Sequence, residues 1–324
     1  MVDVRALLEE LDERTKEKFK HQPKVELKDD IFDVDKLPMG PVWHRLSDVV
    51  AVVADMKSST ELEQGRRPAS TASIYDAGMG GVASVFDRMQ ADFVDIQGDG
   101  AFGLFWGLSR YERAICAGIT IRSFSKKFTE QLEKRWPDAP STGFKVGLGS
   151  GSVLAKRVGL PRHLDLQEPV WAGHPVNYGF KASQQQQDPE LVVAGSVWDI
   201  VKSNDYVAYS CGCNGDQPGG TPSFLWKDVV VEKIPTFEGF GMRCESFWCV
   251  NHGDVFCNAI LDGMTRRDDI PEGERASLKS LTAGASLEAS AQSERAIAEE
   301  QRRIRRESLA EEVKKLRIER SRNR

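Results

Sequence analysis

Long hydrophobic runs are missing from this chain. Nowhere does it approach the roughly 18 uninterrupted apolar residues that a membrane-spanning helix requires, and the expectation is a soluble protein without an integral membrane segment. Cysteine is scarce, with six in 324 residues. That is too few for a disulfide scaffold of this length, so a cytoplasmic location is expected. Excess positive charge is also missing: the net charge is −5 with 29% charged residues, which argues against a general nucleic-acid binder. The opening segment MVDVRALLEELDERTKEKFK is charged and amphipathic and lacks the apolar core of a signal peptide. Neither G-x-S-x-G nor G-x-x-x-x-G-K-[ST] occurs, so no nucleophile elbow and no P-loop is present.

What is there suffices for one large domain or one domain with appendages, since 40% of the residues are hydrophobic. Residues 3–20 read as a helix with Val4, Leu7, Leu8 and Leu11 on one face, within an N-terminal helical segment 1–40. A folded domain is expected over 41–250. Residues 49–54 (VVAVVA) form a continuous apolar run typical of a buried central strand. Residues 70–89 read as a helix weakened by Gly78, Gly80 and Gly81. Apolar runs at 91–97 and 101–106 flank Gly98-Asp99-Gly100, a strong hairpin signal. A long helical pattern at 110–135 ends at Trp136-Pro137. A strand at 144–149, a Gly/Ser turn and a second strand at 152–155 come next, then a turn and helix over 170–187 and strands at 191–194 and 224–234. Residues 251–324 form a C-terminal extension, helical or partly disordered; its last thirty residues are highly charged, and their apolar residues are too sparse for a coiled-coil seam.

Two acids stand out. Asp55 ends the first buried strand, where open sheets place ligands, and Met56-Lys57-Ser58-Ser59-Thr60 follows it. Ser58, Ser59 and Thr60 can open a helix whose free N–H groups face a phosphate. Asp99 sits at a hairpin tip whose glycines permit close backbone approach. Singly, Asp55 reads as a helix cap and Asp99 as a turn residue. Together, on adjacent strand ends, they can bridge two hard cations.

The segments VVAVVADMKSST, DFVDIQGDGAFGLFWG, GFKVGLGSGSVLA and VWAGHPVNYGFKAS, in this order, resemble the class III adenylate and guanylate cyclases. The resemblance implies an α+β fold with a ferredoxin-like βαββαβ core, and a head-to-tail homodimer with sites at the subunit interface. It implies two divalent ions, Mn²⁺ or Mg²⁺, held by Asp55, Asp99 and the Met56 carbonyl. Asn177 matches the residue that orients the ribose. Lys181 stands where the family usually has a transition-state Arg; it keeps the charge and loses the bidentate fork. Residues four apart share a helix face, so Asn177 and Lys181 can address one ligand.

Two positions select the base in the purine cyclases, and here they hold Asp95 and His174. Neither purine pair is present. Together with the Trp171-Ala172-Gly173-His174-Pro175-Val176-Asn177 turn and Lys181, this pattern resembles the pyrimidine cyclases of bacterial Pycsar antiphage systems. Those enzymes make cyclic UMP or cyclic CMP, which acts on a separate effector protein. Asp95 can accept from uracil N3–H or from cytosine N4–H₂, and His174 can donate to uracil O4 or accept from cytosine N4. UTP is favoured because a carboxylate nearby would favour the protonated, donating imidazole. The alternatives are a cytidylate cyclase, a purine cyclase with Asp95 reading guanine, and a cyclase-like module without catalysis.

Five cysteines fall between 211 and 257. Cys211, Cys213, Cys249 and Cys257, with His252 beside them, are candidate ligands for a structural zinc; the spacing is not a standard one, and buried reduced thiols are the alternative. Cys116 lies in a helical apolar pattern and reads as core.

Overall fold

The computed structural model of the chain describes residues 2–31, 33–160, 163–213, 219–235 and 238–275. In chain order the elements are α1 (Val4–Lys20), β1 (Lys24–Lys28), β2 (Val42–Met56), α2 (Ser59–Glu63), α3 (Pro68–Arg88), β3 (Phe93–Gln97), β4 (Gly100–Phe105), α4 (Arg110–Arg135) and β5 (Phe144–Gly159). There follow β6 (Gln167–Gly173), α5 (His174–Ser183), β7 (Leu191–Ala194), α6 (Gly195–Val201), α7 (Asp205–Ala208), β8 (Trp226–Val230), β9 (Phe240–Cys244) and α8 (Gly253–Leu261).

The apolar run of β2 lies in the middle of one sheet, ordered β3-β4-β2-β5-β7-β9-β8, with β1 parallel to β2 and β6 antiparallel to β5 at its margins. The succession β2-α3-β3-β4-α4-β5 with strand order β3-β4-β2-β5 is the ferredoxin-like arrangement within an α+β fold. Alternation along β2 divides the core. Val50, Val52, Ala54 and Met56 pack with Phe144, Val146 and Leu148 against Phe86 of α3 and Ile115 and Ile121 of α4. Val49 and Ala51 point the other way, toward Leu104, Trp106 and Trp171. Asp55 shares that second face by the same alternation, and α5 lies over it.

α5 comes close because β5 has glycine where it passes. A Cβ on Gly147 would sit 2.0 Å from the Gly179 carbonyl oxygen, and one on Gly149 would sit 2.6 Å from that of Pro175. These glycines explain a difference from expectation. The Gly/Ser stretch predicts a turn between two strands, yet β5 runs unbroken from Phe144 to Gly159. Its glycines serve helix packing and a Gly151 φ of 144°, and the irregularity appears instead as a register shift between Leu46 and Val49 on β2.

α1 has the expected apolar face, with Asp3 capping Ala6 N, but none of its residues is buried. The strand expected at 224–234 is the shorter β8, paired with β9. In the C-terminal segment, Ile260 of α8 joins the main core, and Arg275 pairs with buried Asp205 at 2.8 Å while Arg267 N donates to the same carboxylate at 2.9 Å. The rest of the expected extension, 276–324, lies outside the described residues.

Candidate active site

Strand register sets the two acids side by side. Asp55 pairs with Gly100 across β2 and β4, and the Met56 N–H donates to the Asp99 carbonyl at 3.0 Å. Gly98, at φ 61°, takes the left-handed turn that returns the chain into β4. The Asp99 carboxylate accepts from the Ser59 hydroxyl. Ser58, also left-handed at φ 57°, opens the short α2; Ser59 is buried and Thr60 is exposed. The chain between acid and helix is fixed by Lys57, whose N–H donates to the Gly143 carbonyl at 2.9 Å and whose carbonyl accepts from Thr142 Oγ1 at 2.6 Å.

Asp55 Oδ2 accepts from Gln184 Nε2 at 2.7 Å and lies 3.5 Å from Lys145 Nζ. Lys145 in turn donates to Gln184 Oε1 at 3.3 Å. Sequence reasoning missed both partners. Lys145 had a signal, since it is the cross-strand neighbour of Asp55 once β2 and β5 are paired. Gln184 had none, because its placement depends on how α5 docks.

On α5, the His174 ring stacks on Tyr178 at 4.7 Å with 17° between planes, and Lys181 Nζ lies 5.6 Å from the centre of the same ring. Positions 174, 178 and 181 fall on one helix face. The Tyr178 hydroxyl donates to Glu238, and burial followed by that bond pushes its ionisation well above the usual phenol range. Tyr178 therefore presents a neutral platform to His174 and Lys181. Asn177 is exposed on the same helix. Asp95, on β3, accepts from Gln97 Nε2 at 2.8 Å. Among the described contacts, no hydrogen bond or ion pair joins Asp95 to His174 within one chain.

Five of the six cysteines separate into two groups, while Cys244 is buried at the end of β9. Ligand atoms of Cys211, Cys213, Cys249 and His252 all lie within 4.8 Å of one another. Cys257, expected among them, is instead on α8 against buried Cys116, whose Sγ is 3.8 Å from the Cys257 carbonyl. The reason is helical geometry: five residues beyond His252, Cys257 is carried onto the face of α8 that meets α4. Burial opposes ionisation of Cys249, but bonds from the His252 side chain and the N–H groups of Asn251 and His252 outweigh it and hold the thiol down at about 7. Burial, then the neighbouring Cys211 and Cys249, push Cys213 up to about 11.

No protein-family model matches the chain. It is 49% identical over 273 residues to a uridylate cyclase of Micromonospora echinofusca, covering 83% of this chain and 88% of that protein. It is 44% identical over 288 residues to a uridylate cyclase of Propioniciclava tarda, covering 88% of this chain and 92% of the relative. Among solved structures, the adenylyl cyclase CyaB from P. aeruginosa superposes with a TM-score of 0.50 at 12% identity, over 71% of this chain and 99% of the other. That likeness establishes the shared fold. With ferredoxin-like topology, paired acids on adjacent strand ends and extensive identity to two such enzymes, the chain belongs to the uridylate cyclase family.

Proposed function

We propose that this protein converts UTP to 3′,5′-cyclic UMP and pyrophosphate. The observation that carries this reading is the 44–49% identity to enzymes named uridylate cyclases over most of the chain. The residues support it. Asp55 and Asp99 offer hard oxygen donors on hydrogen-bonded strand ends, with the Met56 carbonyl beside them. Lys145 Nζ, 3.5 Å from Asp55, marks a place where this carboxylate already faces positive charge. These residues fit two divalent ions, Mg²⁺ or Mn²⁺. When bound, such ions acidify a coordinated hydroxyl and neutralise the triphosphate.

The reaction forms a bond from the ribose 3′-oxygen to the α-phosphorus and breaks the α-phosphorus bond to the bridging oxygen. Pyrophosphate leaves, and the hydroxyl proton is given up to solvent. Asn177 orients the ribose. Lys181, steadied over the Tyr178 ring, neutralises charge growing on the α-phosphate. His174 donates to uracil O4 and Asp95 accepts from N3–H.

The site is shared in a head-to-tail homodimer. Gln184 fastens the C-terminal end of α5 to Asp55 of its own chain. Asn177 is seven residues earlier, about 10 Å up the helix axis at 1.5 Å per residue. By the resemblance to class III cyclases, the Asn177 and Lys181 that serve one chain's acids come from the partner subunit. The resemblance to Pycsar cyclases supports a signalling role in antiphage defence, with cyclic UMP acting on a separate effector protein. A reducing compartment such as the cytoplasm suits six cysteines that are all free. No described helix is long and apolar enough to cross a membrane.

The test is incubation of the wild type and Asp99→Ala with UTP and Mn²⁺, followed by mass spectrometry. Wild type yields cyclic UMP and the variant does not; cyclic UMP from both, or from neither, contradicts the reading.

A further inference from the structure

Cyclisation of a nucleotide uses none of the thiols, yet three of them converge with an imidazole at one point. Cys211 and Cys213 flank Gly212, which has φ 77°, and a Cβ there would lie 2.2 Å from the Gly220 carbonyl oxygen. Glycine at this position lets the chain bend so that both sulfurs point to one side. Cys249 and His252 form the turn that opens α8, closed by the Gly253 N–H donating to the Cys249 carbonyl at 2.7 Å. His252 Nδ1 lies 3.3 Å from Cys213 Sγ and 3.7 Å from Cys249 Sγ. With Zn–S about 2.3 Å and Zn–N about 2.0 Å, a tetrahedral site has edges of roughly 3.5–3.8 Å. The cluster is already near that size. The two parts are far apart in sequence, and folding alone brings them together.

We infer that Cys211, Cys213, Cys249 and His252 hold a structural zinc ion. Three thiolates and one imidazole complete a closed tetrahedral set, with no open position for substrate chemistry. A disulfide between two of the cysteines would account for neither the third nor His252. The ion joins the segment after α7 to the N-terminus of α8, two short helices with little core of their own. Together with the Asp205 pairing to Arg267 and Arg275, it fixes the C-terminal segment against the domain. Zinc binding releases the thiol protons, with no change of oxidation state.

The experiment uses the full chain purified without chelator, with zinc measured by elemental analysis and cobalt substituted for spectroscopy. About one zinc per chain is expected, and Co²⁺ should give visible bands of tetrahedral intensity with thiolate charge transfer in the near ultraviolet. Cys213→Ser and His252→Ala should each reduce bound metal at least about tenfold, while Cys257→Ser retains it. If a variant fails to fold, wild type carries the test: stripping zinc should raise hydrogen exchange in residues 205–213 and 249–261 ahead of the central sheet. Less than about a tenth of a zinc per chain together with no cobalt bands overturns the inference. So does a native disulfide among these cysteines, or metal content that does not depend on them.

Discussion

Gln184 Nε2 donates to Asp55 Oδ2 at 2.7 Å, tying the end of α5 to the acid that closes β2 in the same chain. The head-to-tail dimer implied by the cyclase resemblance would complete this acid's site with Asn177 of the other subunit, which a complementation test addresses. Asp55→Ala and Asn177→Ala should each be inactive alone. In an equal mixture with free subunit exchange, half the dimers are mixed and each holds one intact site, so about a quarter of wild-type activity should return. Demonstrated exchange with no recovered activity rejects the shared site.

The Ser59 hydroxyl orients the Asp99 carboxylate, so its loss should weaken the site without destroying it. Ser59→Ala is expected to lower kcat/KM about tenfold, consistent with one charge-assisted hydrogen bond, and to raise the Mn²⁺ concentration giving half-maximal rate. Asp99→Ala removes a proposed metal ligand and should leave no measurable turnover. Metal titrations of both variants check the order.

Close packing of α5 on β5 predicts contrasting effects of two glycine substitutions. Gly147→Ala puts a methyl 2.0 Å from the Gly179 carbonyl oxygen, where backbone must move. It should cost about 3 kcal/mol or more. Gly80→Ala meets nothing within 4 Å on a helix and should stabilise by roughly 0.5–1 kcal/mol. Urea midpoints at unchanged m-value provide the comparison.

Elements with strong local signals were legible in the sequence. α4 spans Arg110–Arg135, as its period and the Trp136-Pro137 stop indicate, and the Gly98-Asp99-Gly100 hairpin joins β3 to β4. Both are decided by neighbours in the chain. Gly149 and Gly151 misled, because glycine marks either a turn or a close backbone approach, and the sequence does not say which. The short elements β1, β9, α6 and α7 were not anticipated, and β6 occupies residues 170–173 where a turn was expected; each is held by packing against other parts of the fold. Lys145 and Gln184 beside Asp55 depend on strand register and helix docking. Likewise, which cysteines gather was fixed by the fold, which put Cys257 beside Cys116 and His252 between Cys213 and Cys249.

His174 lies flat on Tyr178, so its ring edge is held in one direction while the hydroxyl below is engaged by Glu238. Donation from this ring to uracil O4, as proposed above, would discriminate between a carbonyl and an amino group on the base. His174→Ala should reduce the UTP-over-CTP ratio of kcat/KM by roughly 5–150-fold, corresponding to about 1–3 kcal/mol for one lost buried pairing. An unchanged ratio assigns the choice of base to other residues.

The central claim is the substrate, and one competition assay addresses it. Wild-type protein with Mn²⁺ is given ATP, GTP, CTP and UTP at equal concentration in one vessel, and the cyclic products are quantified by mass spectrometry at early times. Product ratios then report relative kcat/KM directly. Cyclic UMP should be the dominant product, with pyrophosphate equal to the sum of the cyclic products. Dominance of cyclic CMP, cyclic AMP or cyclic GMP would contradict the account.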